Sequence, residues 1–114
     1  MNIDYFKCPK YVTNSLFIKK ALSLNLSLEE FLMLTYFDND YTSFLNMDEL
    51  SKNIGISTEK AYEVFTSMLT KKIIDVKTDK DIEGRLIERV SLDNFYAMIM
   101  EDEKKVLKEE KKTD

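Results

Sequence analysis

Residues 46–90 read NMDELSKNIGISTEKAYEVFTSMLTKKIIDVKTDKDIEGRLIERV, and this stretch decides the fold. Asn46 is placed to cap a short helix, with Glu49 three residues on to close a reciprocal capping box. Leu50 and Ile54 face inward on that helix, Gly55 makes the turn, and Ser57 caps the next helix. The second helix carries Ala61, Val64, Phe65, Met68 and Leu69, the i, i+3, i+4, i+7, i+8 spacing of a half-buried helix. IIDVKT (73–78) and RLIERVS (85–91) then flank DKDIEG (79–84), in which Gly84 is free to take the left-handed turn conformation. A helix-turn-helix running straight into a two-stranded hairpin is a winged helix.

Outward from this core, the expected architecture is mostly α with a small β-hairpin (α+β), as one domain over residues 1–100. An arm and first helix fill 1–26, the core 27–91 and a closing helix 92–100, with a charged helical tail or linker over 101–114. In the arm, MNIDYFKCPKYV, Pro9 forbids a regular helix, so an extended segment is expected. Tyr5, Phe6 and Tyr11 are too many aromatics for a solvated tail; they pack either on this domain or on a second subunit or partner. Thr13 and Asn14 are capping residues for a helix over Leu16, Phe17, Ala21 and Leu24 that ends near 23–25. Ser27 and Glu30 form the capping box of the next helix, with Leu28, Phe31, Leu32 and Tyr36 as its buried stripe. The loop 38–45 holds Tyr41 and Phe44, and Phe44 is placed to staple onto the helix that follows. After Ser91, residues Leu92, Phe95, Tyr96, Met98, Ile99 and Met100 are apolar on more than one face, so cover is needed on both sides. From Glu101 the charges alternate and only Val106 and Leu107 are apolar. The last ten or so residues are expected to fray or to form a linker.

With 114 residues and 44% hydrophobic composition, the chain affords a single modest core without metal or disulfide. Two glycines and one proline favour helices joined by short turns. The one cysteine, Cys8, excludes an internal disulfide and points to the cytoplasm. No apolar run approaches the roughly 18 residues of a membrane span, and the first ten residues lack a signal-peptide pattern. There is no histidine, so the usual general base near neutral pH and the commonest zinc ligand are missing. No GxxxxGK(S/T) or GxGxxG occurs, and Gly55 and Gly84 are both used by turns. An enzyme is therefore not expected, and neither is a cofactor or metal.

Lys and Arg number 17 against 21 Asp and Glu, a formal net charge of −4, whereas a module that binds duplex DNA alone usually wears a basic face. The outward residues of the 58–70 helix should be Thr58, Glu59, Tyr62, Glu63, Thr66, Ser67 and Thr70. If DNA is bound directly, Lys60, Ser67, Lys71, Lys72 and Lys77 are the candidates, but the carboxylates on the same face oppose phosphate. Association with proteins fits better, because both ends carry apolar excess outside the minimal winged helix.

The segments LFIKKALSLNLSLEEFLML, NMDELSKNIGISTEKAYEVFTSMLTKKIIDV and EGRLIERVSLDNFY, in this order, resemble the amino-terminal domain of the DnaD family of bacterial replication-initiation proteins. The resemblance covers about residues 12–100. Where family members often carry a tryptophan after the SL of the wing, this chain has Phe95 and Tyr96. The resemblance implies a primosome role in loading the replicative helicase, with self-association and contacts to an initiator protein of the DnaA type. In the family a separate carboxy-terminal domain with a YxxxIxxxW motif carries most DNA binding. That domain is absent from these residues, so the chain either ends in an interdomain linker or belongs to a reduced protein, chromosomal, phage or plasmid. Partner contacts are expected at Phe6, Phe44, Arg85, Ile87 and Arg89, since aromatics and arginine most often anchor interfaces. Self-association, as a dimer or a higher oligomer, is expected at Leu16, Phe17, Phe95, Tyr96 and Ile99. The competing reading is a winged-helix transcription regulator that binds DNA directly.

Overall fold

The computed structural model describes residues 5–39 and 45–112, with side chains to residue 109. The expectations on Tyr41 and Phe44 lie outside the described residues. A single 3-10 turn, Tyr5–Lys7, interrupts the arm that the sequence leads one to expect as extended. Helix α1 spans Ser15–Ser23, α2 Leu28–Asn39, α3 Met47–Ile54 and α4 Thr58–Thr70. Strands β1 (Asp75–Lys80) and β2 (Leu86–Ser91) pair antiparallel in a register running from Asp75↔Ser91 to Lys80↔Leu86, and α5 (Asp93–Lys112) closes the chain.

Each start is written locally. The side chain of Asn14 accepts the Phe17 amide, that of Asn46 the Glu49 amide and that of Ser57 the Lys60 amide. At α2 the box is reciprocal: the Ser27 hydroxyl accepts the Glu30 amide at 3.1 Å, and a Glu30 carboxylate oxygen accepts the Ser27 amide at 3.0 Å. Three helix ends turn off through a left-handed residue: Asn25 (φ 55), Gly55 (φ 85) and Lys72 (φ 60). After α4 the Ile73 amide bonds the Met68 carbonyl and the Lys72 amide bonds the Leu69 carbonyl, the double bond of a Schellman ending. Lysine there bears the left-handed strain that glycine avoids. Lys72→Gly should therefore raise stability by about 0.5–1 kcal/mol. That corresponds to a Tm increase of about 3–6 °C in a melt followed by circular dichroism.

This ending also re-aims the chain. Ile73 and Ile74, expected to open the first strand, precede the ladder and are buried in the core with Leu50, Met68, Val90 and Leu92. The strand begins two residues later than the sequence pattern suggests.

The buried stripe expected on α2 is corrected. Leu28 and Leu32 are exposed, while Met33, Leu34 and Phe37 are buried beside Tyr36, and Phe31 is packed at the core's margin. The helix is apolar nearly all round, so its periodicity does not say which side is inside. Its neighbours decide: α3 and α4 pack against it, and Phe17 of α1 meets Phe31 at a centroid distance of 6.0 Å. Helix α5 runs unbroken to Lys112. Helix-favouring Glu and Lys fill its second half, Lys104 pairs with Glu101 at 3.7 Å, and Asp102 pairs with Lys20 of α1 at 3.0 Å.

Candidate functional site

The turn motif presents α4 outward much as expected: Glu59, Lys60, Tyr62, Glu63, Thr66 and Thr70 are exposed, and Thr58 and Ser67 are half-buried. The cations on and beside this face are largely engaged. Lys60 pairs with Glu63 at 3.6 Å, Lys71 with Glu30 at 2.9 Å, and Lys77 of β1 with Asp93 at the start of α5 at 3.1 Å. Ser67 donates its hydroxyl to Glu30 at 3.1 Å. Of the five residues proposed for direct DNA contact, Lys72 alone has no side-chain partner among the described residues. A reading helix whose lysines already hold carboxylates has little net charge with which to displace counterions from a duplex.

Glu30 ties α2 to α4. Its carboxylate is buried and accepts from the Ser27 amide, the Ser67 hydroxyl and, through both oxygens, the Lys71 ammonium. Burial pushes its pKa up; the Ser27 amide, Lys71 and Ser67 push it down and prevail, holding the carboxyl below its ordinary value. At the head of α5, the Lys77 ammonium likewise holds the exposed Asp93 carboxyl below its ordinary value.

The wing tip is neutralised from within. Asp81 Oδ1 accepts the amides of Glu83 and Arg85 at 2.9 and 2.8 Å, and Oδ2 accepts Arg85 Nε at 3.0 Å. Gly84 completes the turn at φ 82. Arg85 also reaches Glu83 at 2.9 Å, and Arg89 reaches Asp79 at 3.4 Å. Three of the expected partner residues, Arg85, Ile87 and Arg89, share one shallow groove with Lys80, Ile82 and Glu83. Ile82 is fully exposed at the tip, a position sequence reasoning passed over; an isoleucine at the centre of a tight hairpin loop was the available signal. Arg89 Nε is buried without a hydrogen-bond partner among the described residues, which leaves a donor unsatisfied beside this groove. The amides of Val76 and Lys80 are taken by the carboxylates of Asp75 and Asp79 at 2.9 and 2.8 Å. That blunts β1 against strand addition. The arm contributes no residue to this groove, so Phe6 is not brought together with the wing residues.

The residues expected to self-associate divide in two. Phe17 and Phe95 are corrected: at 2% and 0% exposure they are core, meeting edge to face with centroids 4.9 Å apart. The aromatic helix after the wing is covered on that side by α1 of the same chain. Leu16, Tyr96 and Ile99 stay at the surface or its margin, and with Met100 they line a groove between α1 and α5. The Tyr96 hydroxyl is held by Asp38 of α2, which fixes the ring's direction. Among the described residues no helix is long and apolar enough to cross a membrane. Nor does any group of three or more Cys, Asp or Glu among them have the geometry to hold a metal ion.

Among solved structures the chain is similar to a point mutant of MepR from S. aureus bound to an oligodeoxyribonucleotide, at 16% identity and a TM-score of 0.53, over 85% of this chain and 69% of that one. A selenomethionine derivative of a MepR mutant from a multidrug-resistant S. aureus isolate matches at 16% identity and a TM-score of 0.53, over 86% and 69%. At this identity the likeness is one of fold, and the fold is the winged helix. No curated protein matches the chain. The model of the DnaD N-terminal domain family matches residues 13–113. The chain therefore belongs to the DnaD N-terminal domain family.

Proposed function

We propose that this domain is a scaffold of bacterial replication initiation that self-associates and binds an initiator protein of the DnaA type during helicase loading, and does not itself read DNA. The observation that carries the reading is the charge neutralisation of α4 and the wing, set beside apolar side chains left in water at Leu16, Tyr96, Met100 and Ile82. Family membership supports the replication role. Self-association uses the seam of α1 and α5 at Leu16, Tyr96 and Ile99. The initiator meets the wing groove at Arg85, Ile87 and Arg89.

The test separates the two partners. Arg85→Ala with Arg89→Ala should weaken binding to the purified initiator about tenfold or more and leave the sedimentation of the domain unchanged. Tyr96→Ser should do the reverse. Unchanged initiator binding in the wing variant, or unchanged sedimentation in Tyr96→Ser, would overturn the corresponding half. A second reading, direct duplex binding in the manner of a winged-helix regulator, is favoured by one observation, the oligodeoxyribonucleotide held by the similar MepR structure. Under that reading, affinity for a duplex falls steeply and linearly in log–log form with salt and drops on Lys72→Ala. Under the first it is weak at every salt concentration.

A further inference from the structure

Near its end, helix α2 adds a carboxylate to the seam of α1 and α5. Asp38 is half-buried, accepts the Tyr96 hydroxyl, and pairs with no cation among the described residues. Beside it Leu16, Tyr96, Ile99 and Met100 line a groove of about 300 Å³. Apolar walls with one convergent charge are the make-up of a binding site. Past Leu16 and Ile99 the groove continues into a second one of about 190 Å³, which adds Lys19, Lys20, Asp102 and Glu103. Lys20 is held by Asp102 at 3.0 Å, which leaves Lys19 and Glu103 to offset each other. From Tyr96 to Glu103 the joined trough runs about 10 Å along α5, two helical turns. Its middle is apolar, one end is neutral on balance, and the Asp38 end is anionic.

We infer that this trough receives an amphipathic helix of a partner protein. One lysine or arginine of that helix sits over Asp38, and two apolar side chains, three and four residues further on, lie against Leu16, Ile99 and Met100. A helix laid in a groove is read through anchors at this spacing, and two turns of trough match their reach. Charge complementarity selects the occupant. The Asp38 carboxylate has a neutral hydroxyl for its partner among the described residues, so an ammonium or guanidinium adds a charge-assisted hydrogen bond that nothing in the chain supplies. The basic helix of a second copy, its own α5 around Leu107, is a poor fit. With α5 antiparallel to α5, Leu107 reaches Ile99 only when the twofold falls on Glu103, and the two acidic runs Glu101–Glu103 then face each other. The inference rests on the self-association proposed above and adds its regulation. Leu16, Tyr96 and Ile99 cannot cover a second copy and a partner helix at once, so the partner helix takes the assembly apart.

The experiment titrates the full, isotopically labelled chain with two alanine- and glutamine-based peptides of about fifteen residues, the length at which an isolated helix begins to form. One carries a lysine with leucine three and four residues after it; its twin has glutamine in place of the lysine. Amide shifts centred on Leu16 and Ile99, and binding about tenfold tighter for the lysine peptide, are the expected results. Asp38→Asn keeps an acceptor for the Tyr96 hydroxyl, so it should melt with the parent and bind the two peptides equally. Equal binding by the parent, shifts centred elsewhere, or a lysine preference that survives in Asp38→Asn would each overturn the inference. At saturation the lysine peptide should lower the sedimentation coefficient of the parent's assembly, and unchanged sedimentation would sink the regulatory step. Unaltered sedimentation in Tyr96→Ser would sink self-association at the seam, whereas the lysine preference is read from shifts and decides the partner site by itself.

Discussion

Phe95→Ala should cost about 3–5 kcal/mol, the range for removing a fully buried aromatic ring. Phe95 has no exposed surface and meets Phe17 edge to face, closing α5 over α1. A domain of this size holds a total stability of about 5–15 kcal/mol, so the variant should lose about a fifth or more of it and show an early, broadened melt. The neighbouring Tyr96 behaves differently. It is half in water, so Tyr96→Ser should stay within about 1 kcal/mol of the parent while weakening assembly. Urea titrations of the two variants side by side, with sedimentation at one fixed concentration, make the comparison. Equal melting of Phe95→Ala and the parent would refute the burial of this ring; folding loss in Tyr96→Ser would refute its assignment to the surface.

The second large effect is expected at Glu30. Glu30→Ala removes the reciprocal cap of α2, the acceptor of the Ser67 hydroxyl and the partner of Lys71 at once. Lys71 is partly exposed and returns to water, so the cost is that of the lost charge-assisted hydrogen bonds, about 2–3 kcal/mol. Glu30→Gln keeps the shape and an acceptor and should cost less. The pH dependence follows from the lowered pKa. A carboxyl bound more weakly by protons in the folded state than in the unfolded one contributes its stability above the unfolded value, near 4.5, and loses it as pH falls through the lower folded value. The parent should therefore lose stability below about pH 4.5 more steeply than Glu30→Gln, read as the difference in urea midpoint between pH 7 and pH 3.5. In Lys71→Met burial is opposed only by Ser27 and Ser67, so the folded pKa of Glu30 moves back towards its unfolded value and the loss of stability on acidification becomes smaller than in the parent. Parallel pH profiles for all three proteins would refute the network.

Buried and exposed aromatic rings alternate along the first turn of α5. One turn of the helix carries both Phe95, which holds the subunit together, and Tyr96, which faces out beside Ile99 and Met100. Substitutions here thus sort by helical phase, and a change that abolishes assembly reports on an interface only when the adjacent core residue is intact. The same logic applies to α4, where Lys71 and Ser67 look like contacts for a phosphate backbone in sequence yet are spent on a carboxylate from α2.

What the sequence determined by itself is whatever a few consecutive residues decide. Asn14, Ser27, Asn46 and Ser57 each satisfy the amide three residues on, and Gly55 and Gly84 take backbone conformations that other residues resist, so helix starts and both sharp turns were legible. The period of α4 was legible as well, because its outer face is polar and its inner face is not. Only the tertiary structure decided which side of α2 is buried, since Leu28, Leu32, Met33, Leu34 and Phe37 offer water and core equally apolar surfaces, and packing from three directions chose among them. It also decided that Phe17 and Phe95 shield each other inside one subunit, that Glu30 captures Lys71 41 residues away, and that Asn39 clamps Val12 from a distance of 27. Such pairings form between segments far apart in the chain, and local propensity, which reaches about one helical turn, carries no record of them.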